Sequence, residues 1–411
     1  MSPPGHLREA MARCTGSVRV AVIAESFLPS KNGVTSTILH TLEHLQRSGH
    51  SASVVAAAPT SDHMPAVCAA SSICWLPSSA VPGYPTFRVS APGVARMRGV
   101  LRRMQPDVVH LAAPFVLGWD AVRAANQLDL PTVAIYQTDV PGFAARYGLR
   151  PLGPMLWRRI RNVHQLANRT LAPSLSAAAQ LRRHGVPRLH LWERGVDTDL
   201  FRPDRRSAQV RTLVGKGSEV LVGFVGRLAA EKQVEDLRVL DGIRGVQLVV
   251  VGDGPMRSRL ERWLPTAVFT GWLDGPALAY TMASLDMVIH TGEQDTFGQT
   301  VQEAMASGVP VIAVAKGGPA DLVRHGRTGL LYPANRLDVL RTLVGQLASS
   351  EKDRRSMGAA ARAVVLTRSW SRRCDELLDH YRQAMSPGDS NAPVNRFTMT
   401  DSAVARYQAG E

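Results

Sequence analysis

The chain is poor in the features that mark several common protein classes. Its 411 residues include only four cysteines, Cys14, Cys68, Cys74 and Cys374, with no CxxC pair and no histidine at metal-ligand spacing. Neither a disulfide framework nor a zinc site is expected, and no metal requirement; the four are read as free thiols. No uninterrupted apolar run reaches the roughly 18 residues of a spanning helix. The opening MSPPGHLREAMARC lacks the apolar core of a signal peptide. A cytoplasmic location is the expectation. Aromatic residues make up 6% and do not interleave with the basic stretches, which argues against nucleic acid as a partner.

Carboxylates are missing from two long windows, residues 63–106 and 141–190. Residues 1–190 carry 20 Lys+Arg against 8 Asp+Glu, so most of the net charge of +14 sits there. Arg146, Arg150, Arg158, Arg159, Arg161, Arg169, Arg182, Arg183 and Arg188 all fall in the second window. An anionic membrane leaflet suits such a half, since each Lys or Arg near it gains about 1 kcal/mol. The segment PLGPMLWRRIRNVHQL, 151–166, is the amphipathic candidate, a solvated basic edge on a buried helix being its alternative.

Apolar residues reach 45%, enough for two cores of about 150 to 200 residues each. Short apolar strands alternate with helical stretches, the pattern of parallel α/β sheets. VRVAVIA (18–24), ASVVAAA (52–58), DVVHLA (107–112), TVAIYQT (132–138) and RTLAPS (169–174) form one series. VLVGFVG (220–226), VQLVVVG (246–252), AVFTG (267–271), DMVIH (286–290) and VPVIAVA (309–315) form another. The fold class is therefore α/β with two Rossmann-like, doubly wound domains, 18–195 and 196–369. Residues 1–17 and 387–411 are low in apolar content and are expected to be disordered.

Ligands of open parallel sheets sit beyond the carboxyl ends of the strands, which directs attention to the loops leaving them. After the first strand, Asn32-Gly33 closes a loop and Thr35 or Ser36 is placed to cap a helix, whose N-terminus favours an anion. In GFVGRLAAEKQ, Arg227 and Lys232 lie five positions apart at a strand-to-helix turn, a spacing that lets both hold a diphosphate. VVVGDGP places Gly252 and Gly254 at another exit, and KGGPADLV places Gly317 and Gly318 at a fourth. In HTGEQDTFGQTVQEAMASGVP, Asp295 stands eight residues before Glu303. The first is expected in the loop and the second two turns into a helix beginning near Phe297. The amides of Thr296, Phe297 and Gly298 then face an anion or sugar hydroxyls, and Glu303 a ribose diol.

Together VGRLAAEK, GDGP and TFGQTVQEAMASGVPVIA resemble the nucleotide-sugar half of retaining glycosyltransferase family 4, and NGVTSTILHTLEHLQRSGH, GVDTDLFRP and GGPADLV extend the resemblance over roughly residues 18–385. It implies the GT-B fold: two domains facing across a cleft, the first completed by a helix near 370–386, with a nucleotide sugar as donor and no metal. It assigns Gly33, Arg227 and Lys232 to the donor phosphates, Glu303 to the ribose, and Asp295 with Thr296, Phe297 and Gly298 to the transferred hexose; Gly252, at its strand exit, is read as donor-binding as well. The family has glutamate where Asp295 stands, and Glu293 is nearby as a substitute. Many relatives carry a histidine where this chain has Ala112, leaving His110 either to touch ligand or to be buried.

PDVVHLAAPFVLG and IYQTDVPGFAARYG resemble bacterial mannosyltransferases of glycolipid synthesis and plant-type sulfoquinovosyltransferases. That likeness places Gln137, Thr138, Asp139 and Arg146 toward a lipid-linked acceptor; Asp139 either orients its hydroxyl or caps the next turn. The expectation is transfer of mannose from GDP-mannose to a glycolipid at the inner face of the plasma membrane. A UDP-sugar, phosphatidylinositol or another small acceptor, and more remotely 2-epimerase chemistry, are the alternatives.

Overall fold

The computed structural model describes residues 16–59, 67–81, 84–215 and 220–386. The terminal segments expected to be disordered lie outside these residues, apart from residues 16 and 17.

The first sheet contains β1 (Arg19–Ala24), β2 (Ser51–Ala57), β3 (Val67–Cys68), β4 (Ser71–Leu76), β7 (Val108–Ala112), β8 (Thr132–Ile135), β9 (Arg169–Ala172) and β10 (Leu189–Leu191), with a separate ribbon of β5 (Ser79–Val81) and β6 (Tyr84–Val89). Its order is β10-β9-β8-β7-β1-β2-β4-β3, parallel except for β3. The second comprises β11 (Val220–Val225), β12 (Val246–Val251), β13 (Val268–Gly271), β14 (Met287–His290), β15 (Val311–Val314) and β16 (Gly329–Tyr332). It runs β13-β12-β11-β14-β15-β16, all parallel. Each sheet reverses strand order once, between β1 and β7 and between β11 and β14. Such reversals open the crevices where ligands bind.

The strands read as continuous apolar runs because both faces are covered. β11 and β14 are buried along their whole length, and each sheet has a hydrophobic cluster on either side. All ten strands read from the sequence are present. β3, β4, β10, β16 and the ribbon escaped that reading because they are short or only partly buried edges, without a long apolar run.

The chain crosses between domains twice. Val196 bridges Ser369, and its amide donates to Arg368 O at 2.9 Å. A Cβ on Gly195 would lie 2.5 Å from Trp370 Cα, so only glycine lets the two crossings touch. Beyond the second crossing, the helix Trp370–Met385 returns to the first domain and buries Leu377, Leu378 and Tyr381 against Val20, Val22 and Leu171. The helix Gly153–Leu166 turns Leu156, Ile160 and Val163 inward. Its apolar stripe is therefore spent on its own domain, the alternative weighed against the amphipathic reading.

Candidate functional site

The second sheet builds most of the site at its switch point. β11 runs into a short turn, Ala230–Lys232, and β14 into the loop that carries Asp295. Thr291 Oγ1 donates to Lys232 O at 2.6 Å and ties the two exits together. Asp295 is held from both sides: Lys232 Nζ lies 2.5 Å from Oδ1 and His290 Nε2 2.8 Å from Oδ2. Burial alone would raise this carboxyl, but the Lys232 ammonium and the His290 hydrogen bond outweigh it and hold Asp295 far below the usual carboxylate range. It is a fixed anion.

Glu303 behaves in the opposite way. It sits in the second turn of the helix Gln299–Ala306, and burial with only Gln299 to offset it pushes its carboxyl up to about 7. Two carboxylates eight residues apart thus have environments that separate their protonation, a pattern typical of working sites. The loop between them is pinned from below. Gly318 N donates to Asp295 O at 2.8 Å, and a Cβ on Gly318 would come within 2.4 Å of Phe297 Cα. Gly298 adopts φ 97° and turns the chain into the helix, which begins at Gln299 rather than near Phe297. The Phe297 ring is core, with the Arg194 guanidinium 6.0 Å from its centre. Among the described residues, the amides of Thr296, Phe297 and Gly298 donate to no acceptor.

Arg227 is exposed at the β11 exit, on the same edge as Lys232. Glu293, considered as a stand-in for Asp295, is already committed: Lys316 Nζ is 2.7 Å from one oxygen and Gln233 Nε2 3.1 Å from the other. Burial raises Glu293, and Lys316 with Gln233 brings it below the ordinary value. Gly252 also has a packing task. Its amide donates to Gly271 O at 2.8 Å, and a Cβ would strike Gly226 O, so glycine here lets two strand exits pack.

Across the cleft the first domain contributes less than the sequence promised. Helix Gly33–Arg47 is capped by Asn32, not Thr35 or Ser36; the Asn32 side chain accepts from the Val34 and Thr35 amides at 3.0 Å. His110 is not in the site. Its Nδ1 meets Tyr381 Oη at 2.6 Å inside the core, and burial holds it at about 3, permanently neutral. Asp139 is the cap of Val140–Arg146: Oδ1 accepts from Gly142 N at 3.0 Å and Tyr136 Oη at 3.2 Å, and Oδ2 from Gln180 Nε2 at 3.0 Å. Both oxygens are engaged in holding the turn, so its catalytic assignment gives way to the cap.

Gln137 does reach the cleft, and Thr138 beside it is half-buried. Gln137 O accepts from Thr296 Oγ1 at 2.9 Å, an interdomain contact that uses the Thr296 side chain. Arg146 is exposed and acts on Asp236 and Glu293 of the other domain, while Tyr147 Oη donates to Glu231 at 2.5 Å. Lys31 and Asp274 close a third interdomain contact at 2.5 Å.

Three residues escaped the sequence reading. His290 and Lys316 hold the two acidic side chains of the loop, and Arg194, 6% exposed, lies between the domains with Nη2 2.9 Å from Gln137 Oε1. Arg194 directly precedes GVDTDLFRP, a position that gave the only available signal. Among the described residues, no three His, Cys, Asp or Glu side chains converge as a metal site would require.

Two family models match: Glycosyltransferase Family 4 over residues 31–200 and Glycosyl transferases group 1 over 207–364. A Mycolicibacterium smegmatis protein named GDP-mannose-dependent alpha-mannosyltransferase is 47% identical over 371 residues, covering 90% of this chain and 98% of that one. A Mycobacterium tuberculosis protein of the same name is 46% identical over 366 residues, 89% and 96% of the two chains. The sucrose-phosphate synthase of Thermosynechococcus elongatus superposes with a TM-score of 0.73 at 20% identity, covering 89% of this chain and 98% of that one, a likeness of fold.

Proposed function

Because the chain belongs to glycosyltransferase family 4 and has the GT-B fold, we propose that it transfers mannose from GDP-mannose onto a membrane glycolipid, with retention at the anomeric carbon. The identity of 47% over nine-tenths of the chain to a named GDP-mannose-dependent enzyme carries this reading. The site supplies what such chemistry needs. Arg227 and Lys232 receive the diphosphate, and Lys232 is already drawn into the cleft by Asp295. Glu303 accepts from the ribose diol, Asp295 and the 296–298 backbone take the hexose, and the leaving diphosphate draws the acceptor proton on the face from which the sugar departs. Stabilising that leaving group is the largest contribution expected of the protein. Two side-chain cations provide the charge for it, and transfer is proposed to proceed without a divalent metal.

The lipid acceptor is supported by the surface of the first domain. Leu149, Leu152 and Met155 are exposed, Met155 by 59%, beside exposed Arg150 and Arg158. An apolar tip ringed by arginines suits an anionic interface. Among the described residues no helix is long and apolar enough to cross a membrane. The proposed placement is peripheral, on the inner leaflet of the plasma membrane.

Calorimetry in EDTA against GDP-mannose, UDP-glucose and UDP-N-acetylglucosamine tests the donor. Selective GDP-mannose binding is expected. Preference for a UDP-sugar overturns the donor assignment, and binding of none overturns the site. Flotation with phosphatidylglycerol-containing and neutral vesicles tests the membrane surface, with retention by the anionic vesicles expected.

A further inference from the structure

Arg194 presents an electrostatic problem that nothing described above solves. Its guanidinium is buried at 6% exposure on the crossing between domains. Only Nη2 has a hydrogen bond, to Gln137 Oε1, and Nε is buried with no partner. Nη1 lies against the start of helix Gly33–Arg47, where a Cβ on Gly33 would stand 2.7 Å from it. A helix N-terminus is itself a partial positive charge. A buried cation placed against one is doubly unfavourable unless an anion joins them.

The opposing charge within reach does not suffice. Asp295 attracts Arg194, but both Asp295 oxygens are already taken by Lys232 and His290. Gln137 Nε2, beside Arg194, is also buried without a partner. On Arg194 and Gln137 themselves the unmatched side-chain atoms are donors, while the buried Oε1 atoms of Gln299 and Gln302, whose amides hold the Gly195 and Arg194 carbonyls, are unmatched acceptors. Burial lowers Arg194 to about 10, so it stays charged at neutral pH. Lys232 and Arg194 thus both act on Asp295, which leaves that one carboxylate shared between two cations.

We propose that Arg194 binds the sugar-linked phosphate of the donor, together with the first turn of the Gly33–Arg47 helix. This deepens, and rests on, the nucleotide-sugar reading above. The diphosphate is then gripped from both sides: by Arg227 and Lys232 of the second domain and by Arg194 at the crossing. A side chain at Gly33 would push Nη1 from this position. Gln137 orients the guanidinium and adds its own Nε2 to the anion. Donor occupancy is thereby tied to the Arg194, Gln137 and Thr296 contacts that join the two sides of the cleft.

The test compares a nucleoside diphosphate with its monophosphate, GDP with GMP, or UDP with UMP if uridine is preferred, by calorimetry on the full chain. Arg194→Ala is expected to weaken the diphosphate by about tenfold or more, roughly 1.4 kcal/mol, and the monophosphate by less than about twofold. Arg194→Lys, which keeps the charge without the fork, is expected to fall between. Gln137→Glu guards against a folding defect: it gives Arg194 a carboxylate in place, and is expected to weaken the diphosphate selectively with an unchanged melting temperature. Equal weakening of both nucleotides by Arg194→Ala, or an unchanged diphosphate affinity in either Arg194→Ala or Gln137→Glu, overturns the assignment while leaving the family function standing. A wild-type protein that binds neither diphosphate removes both.

Discussion

The two walls of the cleft treat their candidate residues differently. On the second domain, Asp295 and Glu303 stand in the cleft with protonation pushed in opposite directions, and Lys232 is locked onto Asp295. On the first domain, His110 is sealed in the core against Tyr381, and Asp139 caps a turn. The second wall came from residues spaced as a group along one loop and helix. The first came from single polar residues within a strand or just beyond one. A lone polar residue there has a structural use available, a cap or a buried hydrogen bond, and usually takes it. A spaced set has no such local use, so its spacing carries information.

The largest expected effect lies at the centre of the second wall. Lys232→Ala removes both the proposed diphosphate cation and the partner of a buried carboxylate. It is expected to lower kcat/KM by about 10²-fold or more, the scale on which one electrostatic donor to a developing anion matters. Circular dichroism should show the fold retained. Turnover within a few-fold of wild type would remove the distinction between the walls, because Lys232 would then be as incidental as His110.

Glu303 sharpens the comparison through pH. Its folded carboxyl is raised to about 7 from an ordinary 4.5. The folded protein therefore keeps a proton that the unfolded chain has lost, so this group's contribution to stability declines as pH rises from the ordinary value through about 7. Donor affinity should move the other way, because only the ionised carboxylate accepts both ribose hydroxyls. GDP-mannose, whose phosphates do not titrate in this range, should bind more tightly at pH 8 than at pH 6, and Glu303→Gln should flatten that dependence. A slope that persists in Glu303→Gln assigns the titration elsewhere.

How much of this was legible follows the same physics. Both sheets were readable because parallel strands buried on two faces are continuous apolar runs, as in VLVGFV and VQLVVV. The edge strand Gly329–Tyr332 was not, since only its two ends are fully buried. The acidic pair and Arg227-Lys232 were legible as spacings. Arg194 was not, because its significance comes from Gly33, Gln137 and Asp295, which lie 161, 57 and 101 residues away along the chain. Convergence of that kind leaves no local pattern. The packing role of Gly252 was hidden for a related reason: the Gly226 carbonyl that requires glycine there belongs to the neighbouring strand exit.

The smallest expected effect on catalysis belongs to the first wall. Asp139→Ala removes the acceptor of the Gly142 amide and leaves Tyr136 Oη and Gln180 Nε2 without their shared partner. Loss of a helix cap costs about 0.5 to 2 kcal/mol, so a lower melting temperature is expected with kcat within a few-fold of wild type at a temperature where the variant is folded. Asp139→Asn keeps one oxygen for the Gly142 amide and should recover most of that stability. A carboxylate needed to orient the acceptor hydroxyl would behave otherwise, with Asn restoring the fold but not the rate. That outcome would return Asp139 to the site and show that a cap can serve chemistry as well; stability restored in Asn, with a rate little changed in either variant, confirms that on this wall the residue holds the helix that carries Arg146 across the cleft.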